Sequence, residues 1–132
     1  MATFCSLQEA REYFSRDRFA ASAAMSVESL TEDGAVCGMP LTENHRNAEG
    51  GVMGGAILAL VDFVFAVASN NAHRPTVAQQ VSLSFLSASR GAFLTASASC
   101  LKSGRTSCVY SVSVKDDLGK DIAQAMVTGF KL

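Results

Sequence analysis

Apolar and polar positions follow two different periods along this chain, and the change between them falls at Pro75. From Gly54 to about Asn70 the chain is apolar on every side of a helical projection, which predicts a helix enclosed by other structure. The pair Asn70–Asn71 favours the end of this helix, and Pro75 supports the break. Beyond Pro75 apolar residues alternate with polar ones, which is typical of strands that bury one face.

Four strands are predicted after Pro75. They span Val81–Phe85, Ala92–Leu101, Cys108–Val114 and Ile122–Phe130, with turns at 89–91, 103–105 and 116–120. Runs separated by such short turns predict an antiparallel meander. A sheet of this kind must cover its apolar face, and the long helix is the one element of suitable length.

The residues before the long helix predict a short helix and two short strands. Ser6 and Glu9 have the spacing of a capping box, and this helix is expected to end near Arg16–Arg18. The elements expected next are a strand around Met25 and Val27, a turn at 32–34, a strand at 35–41 and a polar loop at 42–51. The predicted fold class is therefore α+β, with one domain over residues 1–132 and an antiparallel sheet wrapped around the long helix.

Composition narrows the functional classes. With 132 residues and 48% hydrophobic content, the chain supports a single core. The net charge is −1 and the basic residues are scattered, so no nucleic-acid partner is expected. The four cysteines lie far apart without a CxxC motif, and no signal peptide opens the chain. Free thiols in the cytoplasm are the expectation that follows.

The stretch Gly51–Ala68 has 18 residues, which is near the minimum length for a membrane span. Asp62 lies within it and would cost about 2.5–3.5 kcal/mol at the centre of a spanning helix. This cost favours a buried core helix, and no membrane span is expected.

Asp62 is also the one ionisable side chain between Glu49 and His73. A carboxylate in such apolar surroundings protonates, finds hydrogen-bonding partners or is kept for chemistry. Gly54 and Gly55, at the start of the same helix, either allow close packing on a strand or leave backbone N–H groups free as an oxyanion site. Taken singly, each feature also has an ordinary structural interpretation.

The spacing of these residues carries a family resemblance. The pattern Asn47-x-x-Gly50-x-x-Met53-Gly54-Gly55-x-x-x-x-Leu60-Val61-Asp62 resembles the signature of the hotdog-fold thioesterases. The phenylacetate-pathway (PaaI-like) type, in the 4-hydroxybenzoyl-CoA thioesterase superfamily, is the most similar group. The turn at 102–106 and the segment 119–124 are similar too, so the resemblance covers most of the chain.

The resemblance implies an acyl-CoA thioesterase whose active sites form between two subunits of a homodimer or homotetramer. It implies that the Gly54 N–H polarises the thioester carbonyl, while Asp62 of the other subunit acts as general base or nucleophile. Asn47 would orient the water or the thioester. No metal is required, and coenzyme A enters only as part of the substrate.

Other residues are expected to contact the substrate. Lys102 and Arg105 are candidates for the phosphates of coenzyme A, because those phosphates need exposed cations, and Arg90 is a weaker candidate. The full predicted set for substrate binding is Met53, Gly55, Phe85, Arg90, Lys102, Ser103, Gly104, Arg105 and Thr106. The acyl group is open, since Phe63, Phe65 and Phe85 fit an aromatic pocket and ordinary core packing equally well.

Two departures from the family keep alternatives open. Met53 stands where the family has histidine, and a thioether cannot donate a hydrogen bond. The end of the predicted strand, Phe85-Leu-Ser-Ala-Ser89, also lacks a proline that many relatives carry. An acyl-CoA-binding module without turnover is therefore the main alternative, followed by a structural oligomer. An enoyl-CoA hydratase ranks last, because the helix has Asp62 but no histidine.

Overall fold

A computed structural model of the protein describes residues 2–132, and Met1 lies outside the described part. Within it, three helices and six strands form one α+β domain. The helices are α1 (Leu7–Phe14), α2 (Arg18–Ser22) and α3 (Gly54–Ala72). The strands are β1 (Ser26–Leu30), β2 (Gly34–Pro40), β3 (Thr76–Phe85), β4 (Phe93–Ser103), β5 (Ser107–Asp116) and β6 (Asp121–Lys131). A short 3₁₀ turn, Glu43–His45, interrupts the loop before α3.

The six strands form a single antiparallel sheet in the order β1-β2-β4-β5-β6-β3. The predicted meander is therefore correct for β4, β5 and β6 and wrong for β3, which pairs with β6 rather than β4. The segment 86–92 connects β3, at one edge of the sheet, to β4, which lies beyond β6 and β5. Its two ends are held by hydrogen bonds from the Leu86 N–H to the Ile122 carbonyl and from the Leu41 N–H to the Ala92 carbonyl.

Helix α3 packs against the strands of the sheet, as predicted for a hotdog fold. The fully buried Phe65 ring lies edge-on to Tyr110, with ring centroids 5.5 Å apart. Phe65 also packs against Gly129, where an added Cβ would lie 2.5 Å from the Phe65 ring. Phe63 is also buried, but it lines, with Phe14, a cavity of about 310 Å³ beside α1, whereas Phe65 is enclosed by the core.

One face of α3 is not covered by this chain. Gly55, Leu58 and Asp62 are exposed there, whereas Leu60, Val61 and their neighbours on the opposite face are buried. The helix is long and apolar enough to cross a membrane, but 61% of its apolar stretch is buried inside the fold. It is the core helix, and the prediction that other structure encloses it on every side is wrong for a single chain.

The N-terminal helix begins where the sequence predicted. The Ser6 hydroxyl accepts a hydrogen bond from the Glu9 N–H at 3.1 Å, which caps α1. Helix α2 was not predicted: Asp17 caps it by accepting from the Ala20 N–H, and its five residues are too few to show a period. The four cysteines are unpaired, as expected, and the cytoplasmic location stays a prediction.

Candidate active site

The N-terminus of α3 has no side-chain cap. Met53 occupies the N-cap position, and its side chain makes no capping hydrogen bond. The Met53 carbonyl accepts from the N–H groups of Ala56 and Ile57. In the described part of the chain, the N–H groups of Gly54 and Gly55 have no acceptor. Two free donors therefore point out of the helix at its positive end, where they can bind a negatively polarised oxygen.

Buried His45 holds the loop that leads into α3. Its Nε2 lies 2.8 Å from the Ala23 carbonyl, and its Nδ1 accepts from the Thr42 N–H at 3.0 Å. Since a carbonyl can only accept, the proton of a neutral His45 lies on Nε2. The His45 carbonyl in turn accepts from the Met53 N–H at 2.9 Å. His45 is therefore a buried structural histidine of this loop.

Asn47 shapes the turn before the helix. Its Oδ1 accepts from the N–H groups of Glu49 and Gly51, both at 3.0 Å. The Asn47 N–H donates to the Gly51 carbonyl at 2.8 Å. These bonds are those of a turn residue and occupy the side-chain oxygen, which leaves the Nδ2 group as the atom available to a ligand.

A cleft of about 480 Å³ lies beside the start of α3. We call it the catalytic cleft, and its principal liners are Asn47, Gly51, Gly54, Phe85 and Ser89. An added Cβ at Gly54 would lie 3.1 Å from the Phe85 ring, so the helix start and the end of β3 are in close contact. The structure thus brings together three of the predicted site residues, Asn47, Gly54 and Phe85.

The wall of the catalytic cleft is anchored by a buried acid. Asp116 accepts from the Ser89 hydroxyl at 2.7 Å and from the N–H groups of Leu118 and Lys120. These hydrogen bonds, that from Ser89 foremost, hold the pKa of the Asp116 carboxyl below its usual range. Sequence reasoning missed this anchor, because Ser89 and Asp116 are 27 residues apart.

Replacing Asp116 by Asn is expected to lower the urea midpoint of unfolding at neutral pH, because an amide cannot accept all these bonds. The folded-state pKa of Asp116 is lowered, so its stabilisation is complete above the usual Asp pKa of about 3.9 and is lost as the pH falls from there through the lowered folded-state pKa. The difference between wild type and variant should therefore shrink in acid. Asp121→Asn, an exposed acid of the same turn, is the control, and a constant difference at every pH would contradict this role.

Asp62 lies on the exposed face of α3, with no hydrogen-bonding partner in the described part of the chain. Apolar neighbours still remove enough water to raise its pKa, and the nearby charge of Asp17 raises it further. The buried position expected for this helix is therefore not reached at Asp62 within one chain. Gly54 is eight residues away, about 12 Å along the axis, so the two groups of one chain cannot meet at one carbonyl.

The predicted phosphate-binding residues fall in two places. Arg90 is exposed and follows Ser89 at the wall of the catalytic cleft. Lys102 and Arg105 are exposed on the β4–β5 hairpin, whose Thr106 carbonyl accepts from the Lys131 N–H. Lys131 pairs with Thr76, so this hairpin lies at the end of β3 that is opposite Phe85. A single chain does not bring the hairpin to Gly54.

Lys131 also joins the hairpin, which the sequence did not indicate. Its ammonium donates to the Ser103 hydroxyl at 2.7 Å and to the Gly104 carbonyl at 2.6 Å.

Within residues 2–132, no three His, Cys, Asp or Glu side chains lie close enough together to hold a metal ion.

Comparison with known proteins places this geometry in context. The family model described as Thioesterase superfamily matches residues 49–123, which include Gly54 and Asp62. A candidate esterase of Archaeoglobus fulgidus is 33% identical over 95 residues, covering 71% of this chain. The chain spans 62% of the length of that relative.

Two further proteins are similar over most of the chain. The acyl-coenzyme A thioesterase PaaI of Escherichia coli is 28% identical over 117 residues, which are 88% of this chain and 84% of that protein. The structure of a hypothetical thioesterase of Streptococcus pneumoniae with coenzyme A superposes with a TM-score of 0.81. It is 25% identical and covers 89% of this chain and 94% of its own.

Proposed function

The chain belongs to the thioesterase superfamily, and from this premise we propose that it hydrolyses the thioester bond of acyl-CoA substrates. The observation that carries the proposal is the uncapped start of α3, where the N–H groups of Gly54 and Gly55 are free beside a cleft. The E. coli relative named as an acyl-CoA thioesterase, and the similar structure with coenzyme A, support this substrate class.

The proposed chemistry needs only groups of the protein and water. The Gly54 N–H donates to the thioester oxygen and stabilises the charge that develops there. Asp62 either takes a proton from the attacking water or attacks the carbonyl itself to form a mixed anhydride, which water then hydrolyses. In both routes the C–S bond breaks, and the products are the carboxylic acid and coenzyme A. The Asn47 Nδ2 group would orient the water or the thioester.

Asp62 must come from a second copy of the chain, because Gly54 and Asp62 of one copy are about 12 Å apart along the helix. The exposed face of α3 that carries Asp62 is open to such a partner. The site proposed here therefore combines Gly54 of one subunit with Asp62 of the other.

The edge strand β3 supplies a way for two copies to pair. Its ten residues, TVAQQVSLSF, contain no charged residue and no proline, and most are exposed. Long edge strands are normally protected by charges, prolines or bulges, and this one has only a single irregularity between Ala78 and Gln80. We infer that β3 pairs with β3 of a second copy, in a homodimer or in a tetramer of two such dimers.

Antiparallel pairing of the two β3 strands would also account for the hairpin cations. It places the Thr76 end of one strand beside the Phe85 end of the other. The β4–β5 hairpin of the second copy, with Lys102 and Arg105, then lies on the side of the first copy's cleft. Together with Arg90, these cations are the proposed contacts for the phosphates of coenzyme A.

The test is release of free thiol from a panel of acyl-CoAs with short, long and aryl-acetyl groups. Turnover of at least one class is the expected result. Melting temperatures that rise with acyl-CoA, without any thiol release, would instead support a binding module. Met53 in place of histidine favours that second candidate.

A further inference from the structure

A second opening lies on the other side of the α3 start. It is an apolar groove of about 540 Å³ between α2 and the first two turns of α3. We call it the acyl groove: its walls are Phe19, Met25 and Met53, and its floor is Gly55, Ala56 and Ala59. No charged side chain in the described part of the chain lines it.

The acyl groove and the catalytic cleft meet at the free N–H groups. Gly54 faces the Phe85 ring in the cleft. Gly55 faces the groove, where the methyl carbon of Met53 would lie 3.4 Å from an added Cβ. When these donors hold the oxygen of a thioester carbonyl, the two substituents of its carbon can therefore lie one in each opening. Of the two arms of a thioester, the acyl arm fits the apolar one.

The lining of the groove selects for hydrocarbon. Phe19 is 68% exposed and Met53 is 54% exposed, so two large apolar side chains are left open to water at its rim. A ligand that covers them gains hydrophobic free energy. Methionine is unbranched and flexible, so the Met53 side chain can adapt to an aliphatic chain of variable shape.

Polar side chains of the groove offer little to a substituted ring. The Ser22 hydroxyl donates to the Phe19 carbonyl at 2.8 Å, and both ring nitrogens of His45 are engaged. Asn44, at the exposed rim, is the remaining polar side chain. A hydroxyl on an aromatic acyl group would therefore enter the groove without a matching partner.

We propose that this groove binds the acyl chain and that the preferred substrates are unbranched aliphatic acyl-CoAs of medium length. The inference rests on the proposed hydrolysis and deepens it by naming the substrate class. From the wall residue Met53 to Ala59 at the end of its floor, the groove runs six residues along α3, which is about 9 Å. The groove thus sets an upper limit to the chain length that gains from burial.

The first measurement is kcat/KM for a series of acyl-CoAs from acetyl to dodecanoyl, with phenylacetyl-CoA and 4-hydroxybenzoyl-CoA for comparison. Within the length of the groove, each added methylene is expected to raise kcat/KM about fourfold, the factor that corresponds to about 0.8 kcal/mol. Beyond that length the increase should stop. Both aryl substrates should fall below the best aliphatic one.

Two variants place this preference in the groove. Ala59→Trp fills the floor and should flatten the dependence on chain length. Phe19→Ala removes an exposed wall without disturbing the core, and its loss should grow with chain length. Leu118→Ala, at a residue 69% exposed in the β5–β6 turn, is the matched control and should follow wild type.

The outcomes separate this proposal from the function on which it rests. A chain-length preference that survives both variants, or an altered state of association in Phe19→Ala with the preference intact, would overturn the acyl groove and leave hydrolysis standing. If wild type hydrolyses no acyl-CoA, the proposed function fails. The groove is then tested by melting temperature, where stabilisation that grows with chain length and disappears in Ala59→Trp supports it, and its absence overturns it.

Discussion

Replacing Asp62 by Asn is expected to lower kcat for acyl-CoA hydrolysis by about 10²–10⁴-fold, the usual contribution of a general base. Asparagine keeps the size of the side chain, and it can neither accept the proton of water nor act as an anionic nucleophile. The fold should be unaffected, because Asp62 is exposed and holds no other group in the described part of the chain. Thiol release with a saturating acyl-CoA gives the measurement, and near wild-type kcat would remove Asp62 from the mechanism.

The pH dependence of kcat/KM gives a second test of Asp62. Asp62 must be ionised to act, so kcat/KM should fall as the pH drops through its pKa. The partial loss of water beside its apolar neighbours and, second, the charge of Asp17 raise that pKa above 3.8. Asp17→Asn is the matched control: asparagine also caps α2, so activity should be kept. Because the variant removes a nearby negative charge, the acidic limb of the profile should move to lower pH. A limb that stays in place would show that Asp17 does not act on Asp62.

Replacing Gly54 by Pro is expected to lower kcat by about 10²–10³-fold, the usual cost of removing one oxyanion donor. Proline has no N–H, and it is favoured at the first position of a helix. Met53 already has φ −64° and ψ 131°, the conformation that a residue before proline prefers. The variant therefore removes the N–H donor from the site, adds the carbons of the proline ring and leaves the helix intact.

Gly54→Ala is the control for the added side chain. Alanine introduces the same Cβ, 3.1 Å from the Phe85 ring, and keeps the N–H group. Phe85 is 58% exposed, so its ring has room to move by the few tenths of an ångström required. Alanine should retain most of the activity. Equal losses in the two variants would assign the effect to crowding of Phe85 rather than to the missing donor.

The sequence predicts those parts of the site that depend on local pattern. The start of α3 at Gly54 follows from the glycines, the loop before it and the apolar run after it, and the structure begins the helix at that residue. The strands β4, β5 and β6 follow from alternation and turn residues. Their bounds differ from the predicted ones by only a few residues, because local period and turn chemistry act over short distances.

What the sequence missed depends on contacts between distant residues. Nothing in the alternation of β3 indicates that it pairs with β6, since that choice is made by the crossing segment 86–92 and its bonds to the far side of the sheet. The exposure of Asp62 was missed for a similar reason. An apolar run with one acid predicts a buried helix, but whether its last face is covered by the same chain or by a second copy is not encoded in the period.

The acyl groove is a third feature that the sequence did not fully predict. On the sequence alone, Phe63 and Phe65 fit an aromatic pocket and core packing equally well, and both are buried, Phe65 within the core and Phe63 at the cavity beside α1. The apolar side chains left at an opening are Phe19 and Met53, and Phe19 belongs to a helix too short to be predicted. Met53 is the residue that departs from the family pattern, and its place in the groove is the basis of the binding role proposed for it.

The most direct test of the central claim, that each site combines Gly54 of one subunit with Asp62 of the other, is to mix two inactive variants. Asp62→Asn and Gly54→Pro chains, co-expressed with different tags, assemble at random into a dimer population of which half is mixed. Each mixed dimer contains one site with an intact Gly54 and an intact Asp62, so about a quarter of wild-type activity should return in the whole population. If both groups act within one chain, every site in the mixture is defective and activity stays at the level of the separate variants. That result would contradict the account.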